Sequence, residues 1–295
     1  MQRLPTELYW NGLKTLGIRI FSGSIGDYHR SLDSYYERLR TFAKADSDEI
    51  DERFHPNWES RLPPPPDDLW QETTIELNGP EARFLSEQII YNCPHSLLAH
   101  LVANPIPDVE DIPAPWGHPS VASAPESIRE TVEHSRLFAE VMRGAAFAYN
   151  LMLAQLAKQQ GLDIAGNDLD DYYTERLAAW AAEIASDHTV EEWDTDEFWA
   201  VLTEANARIP LPARRFAQAW ITETQRDPNR IVNLPPEIRA LIEDRERRLK
   251  KGKARLQVHR ALEMWSGGSG TSLQTYRWPT AYTLLADIHR GLSDA

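Results

Sequence analysis

Residues 145–156 read Ala145-Ala146-Phe147-Ala148-Tyr149-Asn150-Leu151-Met152-Leu153-Ala154-Gln155-Leu156, and this stretch decides the fold. It is apolar almost all the way round a helical wheel, and a helix of that kind is buried on most sides. Upstream, Pro125-Glu126 opens the same helix, and Ile128, Val132, Leu137, Phe138, Val141 and Met142 give it an amphipathic first half. Downstream, Gly161 supplies a C-terminal stop. The spacing therefore predicts a central helix over 125–160 with other helices packed around it.

Outward from this helix, three- and four-residue apolar spacing recurs. It predicts helices over 5–17, 24–43, 80–92 and 95–103. After the central helix it predicts 168–186, 195–207, 212–226, 235–250, 254–265 and 279–291. Leu8, Leu13 and Leu16 stripe the first; Ile25, Tyr28, Leu32, Tyr35, Leu39 and Phe42 stripe the second. No stretch alternates with a period of two, so little or no sheet is expected. No fixed-period repeat argues for a solenoid.

Two irregular stretches interrupt the pattern. Residues 44–79 carry an acidic patch (Asp46, Asp48, Glu49, Asp51, Glu52) and the run Pro63 to Pro66, which favours an extended polyproline conformation. The run reads as a long loop or linker in preference to a ligand for an SH3-like partner. Residues 104–125 hold six prolines and mark the expected boundary between an N-terminal helical region, 1–104, and a C-terminal bundle, 125–295, although one continuous domain is also compatible.

The chain has 295 residues, 42% hydrophobic and 26% charged, which is the composition of a globular protein. No apolar run reaches the roughly 18–20 residues that span a bilayer, so no membrane association is expected. A single cysteine, Cys93, leaves no disulfide framework and no cysteine-built zinc site. With no signal-peptide pattern at Met1–Pro5, the expected compartment is the cytoplasm.

No motif names an activity. The nine histidines form no metal-protease pattern, no phosphate-binding glycine loop follows a strand, and no cofactor is expected. Gly267-Gly268-Ser269-Gly270-Thr271 follows a predicted helix and reads as a flexible loop. Asp168, Asp170 and Asp171 with Glu175 invite a cation, but read better as the acidic first turn of a helix, so no metal site is assigned. Glu130 and His134, one turn apart, offer an acid–base pair. Asn150 lies within the apolar run, where an unpaired amide costs about 1–3 kcal/mol. It is expected to bond another helix, and with Glu130 and His134 it completes the weak set of catalytic candidates.

The charge is the informative feature. There are 31 basic and 45 acidic residues, a net of −14. Segment 245–260 holds eight basic residues and one acid, Glu246, a local +7 that leaves −21 for the rest. A whole-surface nucleic-acid coat is therefore unsupported, while one local site stays open. The candidate nucleic-acid-binding residues are Arg245, Arg247, Arg248, Lys250, Lys251, Lys253, Arg255 and Arg260, with Arg277 among the aromatics Trp265, Tyr276 and Trp278. The simpler reading docks the segment on the acidic body or leaves it as a solvated helix face.

Three stretches carry a resemblance. They are Leu4-Pro5-Thr6-Glu7-Leu8-Tyr9-Trp10-Asn11-Gly12-Leu13 with Gly17-Ile18-Arg19; His134-Ser135-Arg136-Leu137-Phe138 with Gly144-Ala145-Ala146 and Tyr149-Asn150-Leu151; and Ala261-Leu262-Glu263-Met264-Trp265-Ser266-Gly267-Gly268 with Tyr276-Arg277-Trp278-Pro279. Together they resemble a bacterial family known as domain of unknown function number six-three-six-one, over nearly the whole chain. The resemblance implies a bacterial cytoplasmic protein encoded near DNA-processing or phage-defence genes, and a chain shorter at its N-terminus than other members. It brings no catalytic residues.

The expectation is thus an all-α, multi-helix bundle around a long central helix, with long proline-rich loops. Its expected role is that of a non-enzymatic component of a multi-protein system, with a protein partner and with DNA or RNA contact through 245–260. The alternative is an enzyme acting on nucleic acid, its site assembled from dispersed polar residues around Glu130, His134 and Asn150.

Overall fold

The protein is described from a computed structural model, which covers residues 5–44, 56–65, 75–106, 112–164 and 168–293. Leu4, the acidic patch at 46–52, His55, Pro66, Pro107 and Asn167 lie outside the described residues, as do the side chains of Leu8 and Phe42.

The described residues form an all-α structure. Its helices are α1 (Pro5–Thr15), α2 (Ile25–Lys44), α3 (Gly79–Asn92), α4 (Leu97–Ala103), α5 (Glu126–Gln159), α6 (Leu169–Ser186), α7 (His188–Glu191), α8 (Thr195–Glu204), α9 (Leu211–Arg226), α10 (Pro228–Ile231), α11 (Pro236–Lys250), α12 (His259–Glu263) and α13 (Trp278–Ser293). Among the described residues no strand occurs; Arg19 and Trp58 form one isolated antiparallel bridge. The chain divides into two compact units, Met1–Ile128 with Arg277–Ala295, and Arg129–Tyr276.

In the first unit, α3 starts on a reciprocal cap. Asn78 accepts from the Glu81 amide, and the Glu81 carboxylate accepts from the Asn78 amide. Ile89, Ala99, Leu101 and Val102 of α3 and α4 pack on Trp278, Leu285 and Ile288 of α13. Around α1 and α2, Trp10, Phe21, Tyr28 and Trp58 form an aromatic nest. The Arg19 guanidinium lies 4.3 Å from the Trp10 ring centre and donates to the Trp10, Phe21 and Gly23 carbonyls. The α2 stripe is only partly covered: Leu32 and Tyr35 are half-buried and Leu39 is exposed.

This unit should be acid-sensitive. His118 is buried beside Trp278, and its Nδ1 accepts from the Ser120 amide. Burial, then the nearby His289 and His100, pushes its pKa below the usual histidine value, and burial does the same to His289. Groups held neutral in the fold bind protons more readily once unfolded. Stability is therefore full above the unfolded value near pH 6.5 and falls as the pH drops below it. Amide exchange in α4 and α13, corrected for its intrinsic pH dependence, is expected to accelerate from pH 7 to pH 5. His118→Asn should flatten that response, and an unchanged slope would refute this account of it.

In the second unit α5 is the axis. It ends as Gly161 demands: φ is +67°, the Gly161 amide donates to Lys158 and the Leu162 amide to Ala157. Three indoles, from α6, from α9 and from the link between α7 and α8, donate to α5. Trp180 Nε1 reaches the Glu140 carbonyl at 2.9 Å, Trp220 Nε1 the Val141 carbonyl at 2.9 Å, and Trp193 Nε1 the His134 Nδ1 at 2.9 Å. Gly144 keeps that face of α5 low enough for the Trp180 ring, whose centre lies 6.1 Å from that of Trp220. A charged clamp completes the contact: Arg136 bonds Glu133, Glu140 and Asp187.

One predicted helix differs. Only 259–263 of the expected 254–265 is helical. Lys251 turns to φ +49°, and the amides of Arg255 and Leu256 are taken by the Glu246 side chain. Bound to a carboxylate, they do not continue a helical ladder. Two short helices, α7 and α10, were not expected. Each begins at an aspartate, Asp187 or Asp227, whose side chain accepts first-turn amides.

Candidate nucleic-acid interface

The basic segment starts on α11. Ile238, Ile242 and Glu246 occupy one buried stripe of that helix at four-residue spacing. Glu246 is 4% exposed, so the only acid of the segment points inward. It accepts from Tyr149 Oη, from Lys250 Nζ at 3.3 Å, and from the Arg255 and Leu256 amides, both at 2.9 Å. Burial pushes the Glu246 carboxyl up, but these hydrogen bonds and the Lys250 charge outweigh it and hold the group below its ordinary value. The pairing is unequal: burial, with Arg255 close by, pushes the Lys250 ammonium down. Tyr149 and the two amides are thus the main support of the carboxylate. Lys250 also donates to Tyr149 Oη at 2.6 Å and sits 4.7 Å from its ring centre. Burial and Glu246 together push the Tyr149 hydroxyl well above the usual range, so it stays a donor at neutral pH.

Glu246 thereby bends the chain at 251–258 and opens a groove of about 700 Å³. Lys250, Lys253, Arg255 and Arg260 line it with Leu249, Val258 and Met264. No carboxylate lines it. Met264 is 78% exposed and Leu249 59%, so the groove presents apolar side chains to water between its cations. A second tether fixes Arg255. Its guanidinium donates to Ser269 Oγ at 2.6 Å, and the Asn150 amide of α5 donates to the Ser269 carbonyl at 2.8 Å. Asn150 is 0% exposed and also donates to the Ala146 carbonyl. It therefore grips the glycine-rich loop and not a neighbouring helix.

The nine candidate cations thus separate. Lys250, Lys253, Arg255 and Arg260 share the groove. Lys251 is exposed at the sharp turn. Arg247 and Arg248 bond the two oxygens of Asp244, at 2.5 and 2.6 Å. Arg245 lies over the Phe216 ring, 5.3 Å from its centre. Arg277 belongs to the other unit.

The catalytic candidates are not brought together. Glu130 is exposed, whereas His134 is buried against Trp193 and Phe198. Asn150 is occupied with the loop four turns further along α5. Asp168, Asp170 and Asp171 place oxygens within 4.8 Å of one another, and Lys158 pairs with Asp170 at 2.6 Å. Leu249, Val258 and Met264, which complete the groove, carry no functional signal in the sequence. Only their adjacency to the lysines and arginines marks them.

No helix among the described residues is long and apolar enough to cross a membrane. The model of a family described as "Family of unknown function (DUF6361)" matches residues 1–291. No curated protein and no solved structure matches the chain.

Proposed function

We propose that this chain, which belongs to the DUF6361 family, is a non-enzymatic component of a multi-protein system in the bacterial cytoplasm and grips the phosphate backbone of DNA or RNA. The supporting observation is the groove at 249–264: four cations on one surface, no carboxylate among them, and apolar side chains between. Cations neutralise phosphates and release counterions, which gives sequence-independent affinity. Leu249, Val258 and Met264 offer an apolar bed for unpaired bases, whereas the groove lining holds no aromatic ring to select among them. The acidic remainder of the surface confines contact to this place. A DNA-processing or phage-defence setting fits a backbone contact of this kind.

The test is a salt titration with a single-stranded oligonucleotide of about a dozen nucleotides. Four phosphate contacts give a slope of log affinity against log salt near −3. Binding should then weaken about 50-fold between roughly 50 and 200 mM salt. Lys253→Glu with Arg260→Glu, both exposed positions, should cut the slope by about half. Equal slopes for wild type and variant, or no binding at low salt, would remove the proposal.

A further inference from the structure

A smaller depression of about 140 Å³ lies between α9 and α11. Helix α9 gives it Arg215 and Phe216; α11 gives it Leu241, Asp244, Arg245 and Arg248. Positions 241, 244, 245 and 248 are spaced as one helix face. Three guanidiniums and one carboxylate leave this wall at +2.

The carboxylate is already engaged. Asp244 accepts from Arg247 and, at 2.6 Å, from Arg248 Nε, which leaves the Arg248 Nη groups unbound to it. Arg245 is half-buried with its guanidinium carbon 5.3 Å from the Phe216 ring centre, and among the described residues no carboxylate bonds it. Burial pushes its guanidinium below its ordinary value, as for a cation partly stripped of water without a counter-charge. A guanidinium that no carboxylate bonds keeps its N–H edge open, and that fork matches the oxygens of a phosphate.

Size narrows the ligand. Sites for drug-sized molecules run from about 300 Å³ upward, and one water occupies about 30 Å³ of liquid. A depression of about 140 Å³ falls below that range and matches a ligand group the size of a single oxyanion. We infer that Arg215, Arg245 and Arg248 form a binding site for one phosphate monoester group, with Phe216 holding Arg245 in place. This inference is independent of the groove, since none of these three arginines lines it.

Two sources offer such a group, free inorganic phosphate and the 5′-terminal phosphate of an oligonucleotide, and the experiment separates them. Arginine Nε–H resonances of the full chain are followed during titration with sodium phosphate against sodium chloride of equal ionic strength. Saturable shifts at Arg245 and Arg248 are expected with phosphate only, with a Kd on the order of 1 mM. Arg245→Met keeps an apolar stem on Phe216 and should weaken phosphate binding about tenfold or more. Arg215→Met, at an exposed position, should weaken it severalfold. Lys253→Glu should leave it unchanged.

Then 5′-phosphorylated and 5′-hydroxyl oligonucleotides are compared. Tighter binding of the phosphorylated strand, lost in Arg245→Met, assigns the site to a nucleic-acid end. Equal binding of both strands, with the inorganic phosphate shifts intact, assigns it to free phosphate. Shifts that chloride reproduces, or an Arg245→Met chain with wild-type phosphate affinity, would overturn the inference. Loss of all oligonucleotide binding with phosphate binding intact would count against the groove alone.

Discussion

Gly144→Ala is expected to destabilise unit Arg129–Tyr276 by about 2–4 kcal/mol, although alanine is the better helix former by about 1 kcal/mol. A methyl group at this position would stand 2.2 Å from the six-membered ring of Trp180, so the ring must leave its seat. Displacing Trp180 removes a buried indole, and a Trp→Ala change in a core costs about 3–5 kcal/mol. It also breaks the 2.9 Å bond to the Glu140 carbonyl and disturbs the neighbouring Trp220. For a unit of this size, 2–4 kcal/mol lowers Tm by roughly 10 °C. Gly12→Ala is the control: it lies within α1 with nothing within 4 Å of the added carbon, and should be neutral or stabilising. In thermal melts the Gly144→Ala midpoint should fall while the Gly12→Ala midpoint holds or rises. A Gly144→Ala chain as stable as wild type would show that Trp180 does not rest on the backbone of α5.

Glu246→Ala is expected to cost about 3 kcal/mol and to weaken oligonucleotide binding about tenfold. The stability loss follows from stranding two backbone amides, the Tyr149 hydroxyl and Lys250, because breaking one side of a buried polar cluster leaves the other side unsatisfied. The binding loss has an unexpected sign. Removing a negative charge beside a basic groove should, by charge alone, tighten contact with an anion. Here it should weaken contact, since Glu246 bends 251–258 and so places Lys253 and Arg255. Faster amide exchange at Arg255 and Leu256 would accompany it. The wild-type carboxylate, held below its ordinary value, contributes at neutral pH. That contribution fades as the pH falls below about 4.5, toward the lower folded value. Tighter binding by Glu246→Ala would show that charge alone governs the surface.

The fold was legible because its signals are local. The apolar run 145–156, the prolines at 80, 125, 212 and 235–236 and the glycine at 161 each act within one helical turn. The missed element, 254–258, depends on a contact from Glu246, and such a contact leaves no periodicity behind. It had a trace all the same. Glu246 follows Ile238 and Ile242 at four-residue spacing, on the apolar stripe of α11, where an unpartnered carboxylate is not tolerated. Reading 245–260 as a uniform +7 averaged that position away. The anion depression was hidden for another reason: Phe216 and Arg245 are 29 positions apart in the sequence and meet only when α9 packs on α11.

The most direct measurement is hydrogen exchange of the whole chain with and without a single-stranded oligonucleotide at low salt. Protection is expected over residues 249–264 and in the glycine-rich loop that carries Ser269, reversed by about 200 mM salt, the range in which a few phosphate contacts are lost. Protection confined to any other surface, or protection of 249–264 that persists in high salt, would contradict a groove that holds the phosphate backbone.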